Sequence, residues 1–358
     1  MKKIILLLSL YLSPWAQADE VHCVATTNEL ILALFLAGNS VENDVIRIKA
    51  GSYHTPAGGF VYQSTNDGDL TLSGGWVGTT NVPCLLNNGF PTSTQLQGQN
   101  TDRILEIVSN SNPLITINNL TFSQGQAPNG EAGGAILIPE LPVFTGGLVI
   151  NQSRFMHNRG TQGSAVRIDQ ASYVEVANSV FIDNTTDSGG GAVRVALDEQ
   201  DLLYFYNNNV MHNVLGDEIR DAVTGLVVIS FDAAHALVAN NVFYANDLFG
   251  FGHTGMGQIH VYHNLLSQAE DNDVFNLNNL TFANPQFTDD TNNLTPLLSS
   301  PLINRGLMPT DHALPLIQNW PLGSQDHNRG PRVQDRRIEI GAFEALPEVP
   351  IFATDFGA

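Results

Sequence analysis

The chain has 358 residues, 43% of them hydrophobic and 14% charged, with 35 acidic against 15 basic side chains and a net charge of −20. A field of that sign disfavours nucleic acid and anionic lipid as partners. The ordinary apolar content excludes a disordered chain.

Lys2 and Lys3, an apolar stretch over 4–12 and Ala16-Gln17-Ala18 predict a secretory signal peptide, residues 1–18, too short to span a membrane. Without its two lysines the remainder has 13 basic and 35 acidic residues, a net charge of −22, and Lys49 is its only lysine. No later stretch reaches the length and hydropathy of a transmembrane helix. The expected location is therefore extracellular, periplasmic or outer-membrane-associated. In an exported chain Cys23 and Cys84 are expected to form a disulfide. The bridge closes a loop of about sixty residues, a model stabilisation on the order of 4 kcal/mol, and pins the N-terminal end.

An N-terminal cap is expected over about 19–45. Thr26-Thr27-Asn28-Glu29 reads as a capping box that opens a short helix over 30–37, stopped by Gly38. Apolar residues almost encircle this helix, which predicts that it is buried as a plug on the first coil. Strands are expected at 45–49, 69–73, 104–108 and 114–121.

A unit then recurs four times, as NQSRFMHN (151–158), ANSVFIDN (177–184), YNNNVMHN (206–213) and ANNVFYAN (239–246). In each copy an apolar residue (Phe155, Phe181, Val210, Phe243) stands three positions before an asparagine (Asn158, Asn184, Asn213, Asn246). A second ladder, GGAILI (133–138), GSAVRI (163–168) and GGAVRV (190–195), runs in step with it. Strand alternation places Ala135, Ala165 and Ala192 in one column and Leu137, Arg167 and Arg194 in another. Units this short cannot bury their own apolar face and must stack on their neighbours. The pattern predicts an all-β protein, a single-stranded right-handed parallel β-helix of about ten coils at ~25–30 residues each. One domain is expected over 19–345, with last coils and a cap over about 282–345. A flexible tail is expected over 346–358, and the protein is expected to be a monomer.

The chain resembles the secreted bacterial right-handed parallel β-helix proteins of the choice-of-anchor Q domain type, with a pectin-lyase-like solenoid. Glu29-Leu30 with the following Ala33-Leu34, IRIKAGSY (46–53) and LSGGW (72–76) before Cys84 are similar to that family's N-terminal pattern. NPQF (284–287), SPLINRG (300–306), RGPR (329–332) and IEIGAFE (338–344) are similar to its closing signature, which usually carries Asp where this chain has Asn304 and Glu339. The GGAI and FxxN units also resemble repeats of polymorphic outer-membrane proteins. The resemblance implies export and a β-helix, and brings no established catalytic residues.

Stacking the coils aligns His157, Asp183 and His212, a column that ends at Ala245. Such a column is a candidate for orienting an imidazole as a general base or for holding a metal, against a plainer reading as solvated turn residues. The asparagine column has a structural explanation in stacked side-chain amides. Arg167 and Arg194 are candidates for binding carboxylates or sulfates of a glycan bidentately, with Asp169 able to neutralise them. No cofactor and no resident metal are expected. The acidic turns Asp67/Asp69, Glu270–Asp273 and Asp289/Asp290 offer oxygen ligands for weak calcium binding. The expected function is a non-catalytic binding or structural component of the cell envelope or exterior, with polysaccharide or another envelope component as partner. The alternative is a polysaccharide lyase or glycoside hydrolase acting on uronate-containing glycans.

Overall fold

Each circuit of the chain adds a strand to each of three sheets, so that sequence-distant segments become vertical neighbours. The computed structural model describes residues 19–345 apart from 80–81, 88, 129, 217–222, 267–273, 292, 313 and 334–336. The first sheet stacks ten strands in chain order, from Glu20–Val24 to Phe275–Leu277. The second stacks nine, from Gly51–His54 to Leu280–Thr281. The third runs from Phe60–Ser64 through Val166–Ile168 and Val193–Leu197 to Val223–Ser230 and the edge strand Phe249–Gly255. Pairings along these stacks are parallel, with the rest of a coil as the crossover that parallel strands require, while the short strand Leu86–Asn87 joins the first sheet antiparallel to Leu70–Val77. This is the expected right-handed parallel β-helix.

Alternating burial explains why these segments form strands. Asp44–Lys49, Leu105–Ser109 and Leu114–Asn118 each send every second side chain inward. The predicted strand over 114–121 is broken, because Asn119 takes a left-handed turn and a new strand, Thr121–Ser123, begins on the second sheet. The predicted columns form. Phe155 registers with Phe181, Phe181 with Val210 and Val210 with Phe243, all fully buried. Phe122, Phe155 and Phe181 stack with ring centroids 4.9 and 4.8 Å apart. Asn158, Asn184 and Asn213 are fully buried, and each donates its backbone N–H and side-chain amide to the Oδ1 of the next asparagine at 3.0 Å. Their Nδ2 groups also donate to strand carbonyls such as Phe155 O. A second ladder, Asn208, Asn241, Asn264 and Asn279, repeats the arrangement at the preceding corner.

Helix α1 covers Thr27–Asn39, longer than predicted, and the capping box is present: Thr26 accepts from Glu29 N, and Glu29 accepts from Thr26 N. Gly38 lies inside the helix, where a Cβ would meet Gln63 O at 2.1 Å. The plug expectation is corrected. Leu30, Ala33, Leu34 and Ala37 face the first coils, but Ile31, Leu32, Phe35 and Leu36 face outward and are exposed. One helix rim can touch the coil end at a time, so an apolar residue on every side cannot all be buried there. The disulfide Cys23–Cys84 forms, spanning 61 residues.

The closing segment, expected as last coils plus a cap, takes another course. A small antiparallel hairpin, Phe287–Asp289 with Asn293–Pro296, follows the last described coil. The chain then runs back along the outside of the first and second sheets. Leu307 exchanges two hydrogen bonds with the Asn240 side chain, Tyr204 Oη donates to Leu316 O, and Gln152 Nε2 donates to Asp326 O. Leu307, Trp320 and Ile338 cover Tyr204, Leu237 and Tyr262, while Ile340, Ala342 and Phe343 cover Val180, Met211 and Val242. Among the described residues no helix is long and apolar enough to cross a membrane. The expected signal peptide, 1–18, and the expected flexible tail, 346–358, lie outside the described residues.

Candidate functional site

The third sheet's outward side chains carry the arginines. Leu137, Arg167 and Arg194 are direct register partners on successive strands, as the repeat spacing predicted. Arg167 Nε donates to both carboxylate oxygens of Asp169 at 2.8 and 2.7 Å. Arg194 Nη1 donates to Gln162 Oε1, and Arg167 Nη1 reaches the same oxygen at 3.4 Å. Two cations thus share one amide and one carboxylate. Burial, and after it the adjacent Arg167 charge, pushes the Arg194 guanidinium below its ordinary value, with Asp169 acting in the opposite sense. An anion placed across the two rungs would relieve that cost.

The other arginines of this face are already matched. Arg103 pairs with Glu106 at 3.0 Å and Glu131 at 2.6 Å, and Arg159 pairs with Asp187 at 2.9 Å. Arg159 and Thr161, on the strand that ends at Gln162, line a polar pocket of about 460 Å³ with Asn100, Glu131 and Asp187.

His157, Asp183 and His212 do lie at equivalent corners, and the reason is conformational. Their φ values are 55°, 55° and 53°, and Ala245, the fourth member, has 52°. This left-handed region favours Asn, Asp and His over most other residues. Among the described residues their donor atoms do not gather into a metal-sized group. In the acidic turns, Asp67 accepts from Asn112 N, Asp69 from Leu114 N and Asp289 from Thr291 N. The turn over 270–273 lies outside the described residues.

Sequence reasoning passed over a second cluster, on the outer face of the first sheet under the closing segment. Glu175 accepts from Tyr173 Oη at 2.7 Å and from Tyr206 Oη at 2.6 Å. Tyr206 Oη also contacts Pro321 O. Burial first, and then the Glu175 carboxylate, push Tyr206 upward; Tyr173 is raised by burial and its hydrogen bond to Glu175. Both phenols therefore act as donors. They leave Glu175 with both oxygens engaged, beside a hollow of about 390 Å³ walled by Val149, Leu322 and Ser324. A further hollow of about 460 Å³ lies between Tyr204, His235, His260 and Pro315. The available signal was the alternation in YVEVA and LLYFY, which sets Tyr173 and Glu175, and Tyr204 and Tyr206, in one phase of neighbouring strands.

No protein-family model and no curated protein matches the chain. Among solved structures it is similar to a point variant of the PL6 family alginate lyase AlyGC, with 18% identity and a TM-score of 0.46, covering 74% of this chain and 35% of that one. It is similar to AlyGC itself with 13% identity and a TM-score of 0.37, over the same shares. The chain thus spans 35% of the length of these structures. Its own strand order and register make it a parallel β-helix protein.

Proposed function

We propose that the protein is an exported, non-catalytic binding component of the cell envelope or exterior that holds an acidic polysaccharide across the Arg167 and Arg194 rungs. The observation that carries this reading is the in-register arginine pair matched, among the described residues, by a single carboxylate, Asp169. Neighbouring rungs lie about 4.8 Å apart, so two guanidiniums present parallel forks to successive anionic groups of an extended chain. A lyase or hydrolase reading calls for Arg167 or Arg194 to face two or more carboxylates, whereas Arg167 pairs with Asp169 and Arg194 with Gln162. The disulfide supports an oxidising compartment, in keeping with export.

Arrayed uronate and sulfated glycans test the reading. Binding is expected, with a loss of roughly tenfold or more in Arg194→Ala, the scale of one charge-assisted hydrogen bond. Equal binding by the variant removes the proposed site. A parallel screen of uronate polymers, with and without calcium, reads unsaturated and reducing ends; their formation would replace a binding function with an enzymatic one.

A further inference from the structure

The apolar columns of the first sheet do not stay apolar to the front edge. Leu70 and Ile115 register with each other, and Leu72 registers with Ile117; all four belong to the buried core. One rung earlier the first column continues as Asp44 and then Glu20, and the second as Ile46 and then His22. Alternation thus places Glu20 and His22 in the phase that elsewhere faces the core, with Asp44 directly across from Glu20. Asp44 is only 3% exposed.

This placement is costly unless something compensates it. Like charges directly opposite on neighbouring strands are destabilising, and a buried carboxylate needs a cationic or hydrogen-bonding partner. Among the described residues neither Glu20 nor Asp44 forms an ion pair with a lysine or arginine; His22 is their shared neighbour. His22 Nε2 lies 2.9 Å from Asp44 Oδ1 and 3.8 Å from Glu20 Oε1. One donor atom from each of the three falls within 4.8 Å of the others. Ligands on a tetrahedral zinc, each at about 2.0–2.2 Å, stand roughly 3.4 Å apart, between those two distances.

We infer that Glu20, His22 and Asp44 form a site for a divalent first-row cation, with zinc the best match to one imidazole and two carboxylates. A fourth position would be left to water, because Glu20 is exposed and opens the site to solvent. The frame is stiff. The strand that carries Glu20 and His22 pairs along five residues with Asp44–Lys49, and Cys23, next to His22, is in the disulfide. The cation would tie the front strand to its neighbour, on the opposite face from the Cys23 side chain.

The test uses the full exported chain, stripped of metal with a chelator and titrated with zinc chloride by calorimetry, and with cobalt(II) by visible absorption. One equivalent of zinc should bind. His22→Gln should weaken it at least a hundredfold and abolish the cobalt band, and Glu20→Gln, at an exposed position that leaves the fold intact, should weaken it about tenfold. No stoichiometric binding, or the same affinity and band in Glu20→Gln as in the parent, overturns the assignment. If His22→Gln fails to fold, the Glu20→Gln comparison decides alone.

Discussion

Asn184 shows how much one side chain does here. Its Oδ1 accepts two bonds from Asn158, and its Nδ2 donates to Phe155 O and Asn213 Oδ1, with no part of it exposed. Asn184→Ala would leave several buried partners unsatisfied, at ~1–3 kcal/mol each. A loss of about 3–5 kcal/mol in urea unfolding is therefore expected. His157→Asn, by contrast, keeps a residue that tolerates the left-handed corner, and should change stability by less than about 0.5 kcal/mol. A larger loss, or a lost activity, would mean that the His157/Asp183/His212 corners do more than turn the chain. The octapeptide repeats made the Phe and Asn columns legible, because identical spacing in a coil means vertical contact. The same octapeptides also held Ser153, Ser179, Asn208 and Asn241 at their third position, a second ladder readable by the same rule. Its first members are serines rather than asparagines, which disguised the column.

At the scale of elements, the closing segment is the part that sequence reasoning could not place. Its contacts reach 112 residues from Tyr204 to Leu316 and 174 from Gln152 to Asp326, with no repeat to announce them. It also buries charge. Arg332 is fully buried and pairs with Glu344 at 2.7 Å, and His327 Nδ1 meets Asn178 O at 2.7 Å. Burial pushes His327 down to about 4. A histidine held neutral when folded contributes its full stability above the unfolded value, and loses it as pH falls from about 6.5 towards 4. The loss amounts to roughly 3 kcal/mol. Burial raises Asp326, so its protonation acts in the opposite sense and offsets part of that loss. Thermal unfolding between pH 7 and 4 should show a falling midpoint that flattens in His327→Gln. At the other end, Cys23→Ala with Cys84→Ala removes a 61-residue cross-link, and about 4 kcal/mol of N-terminal stability should go with it. Hydrogen exchange would register this as faster opening of Glu20–Val24 and α1 relative to the central coils.

As a whole, the molecule is a stack in which each coil touches its neighbours, with a strap laid across several coils. A stack alone unfolds as a nearest-neighbour array, from the ends inward. The strap touches Asn87 through Arg329, Asn178 through Arg332, Asn209 through Ala342 N and His263 through Arg305 O. It therefore couples coils that do not meet. Unfolding in urea should be a single transition for the full chain, and become broader or stepwise when the chain is cut after Ser299. A cut chain with an equally sharp transition would show that the ladders suffice.

The strap also imposes an order of events. Synthesis begins at the amino end, so early coils can wind and lay down their asparagine rungs while later ones are still being made. The covering for Tyr204, Leu237 and Val242 is encoded far downstream, among Leu307, Trp320, Ile338 and Ile340, all more than a hundred residues beyond Tyr204. Until those residues emerge, a nascent solenoid carries a greasy, unsheathed flank along two of its three walls, and this interval is when it is most prone to stick to its siblings.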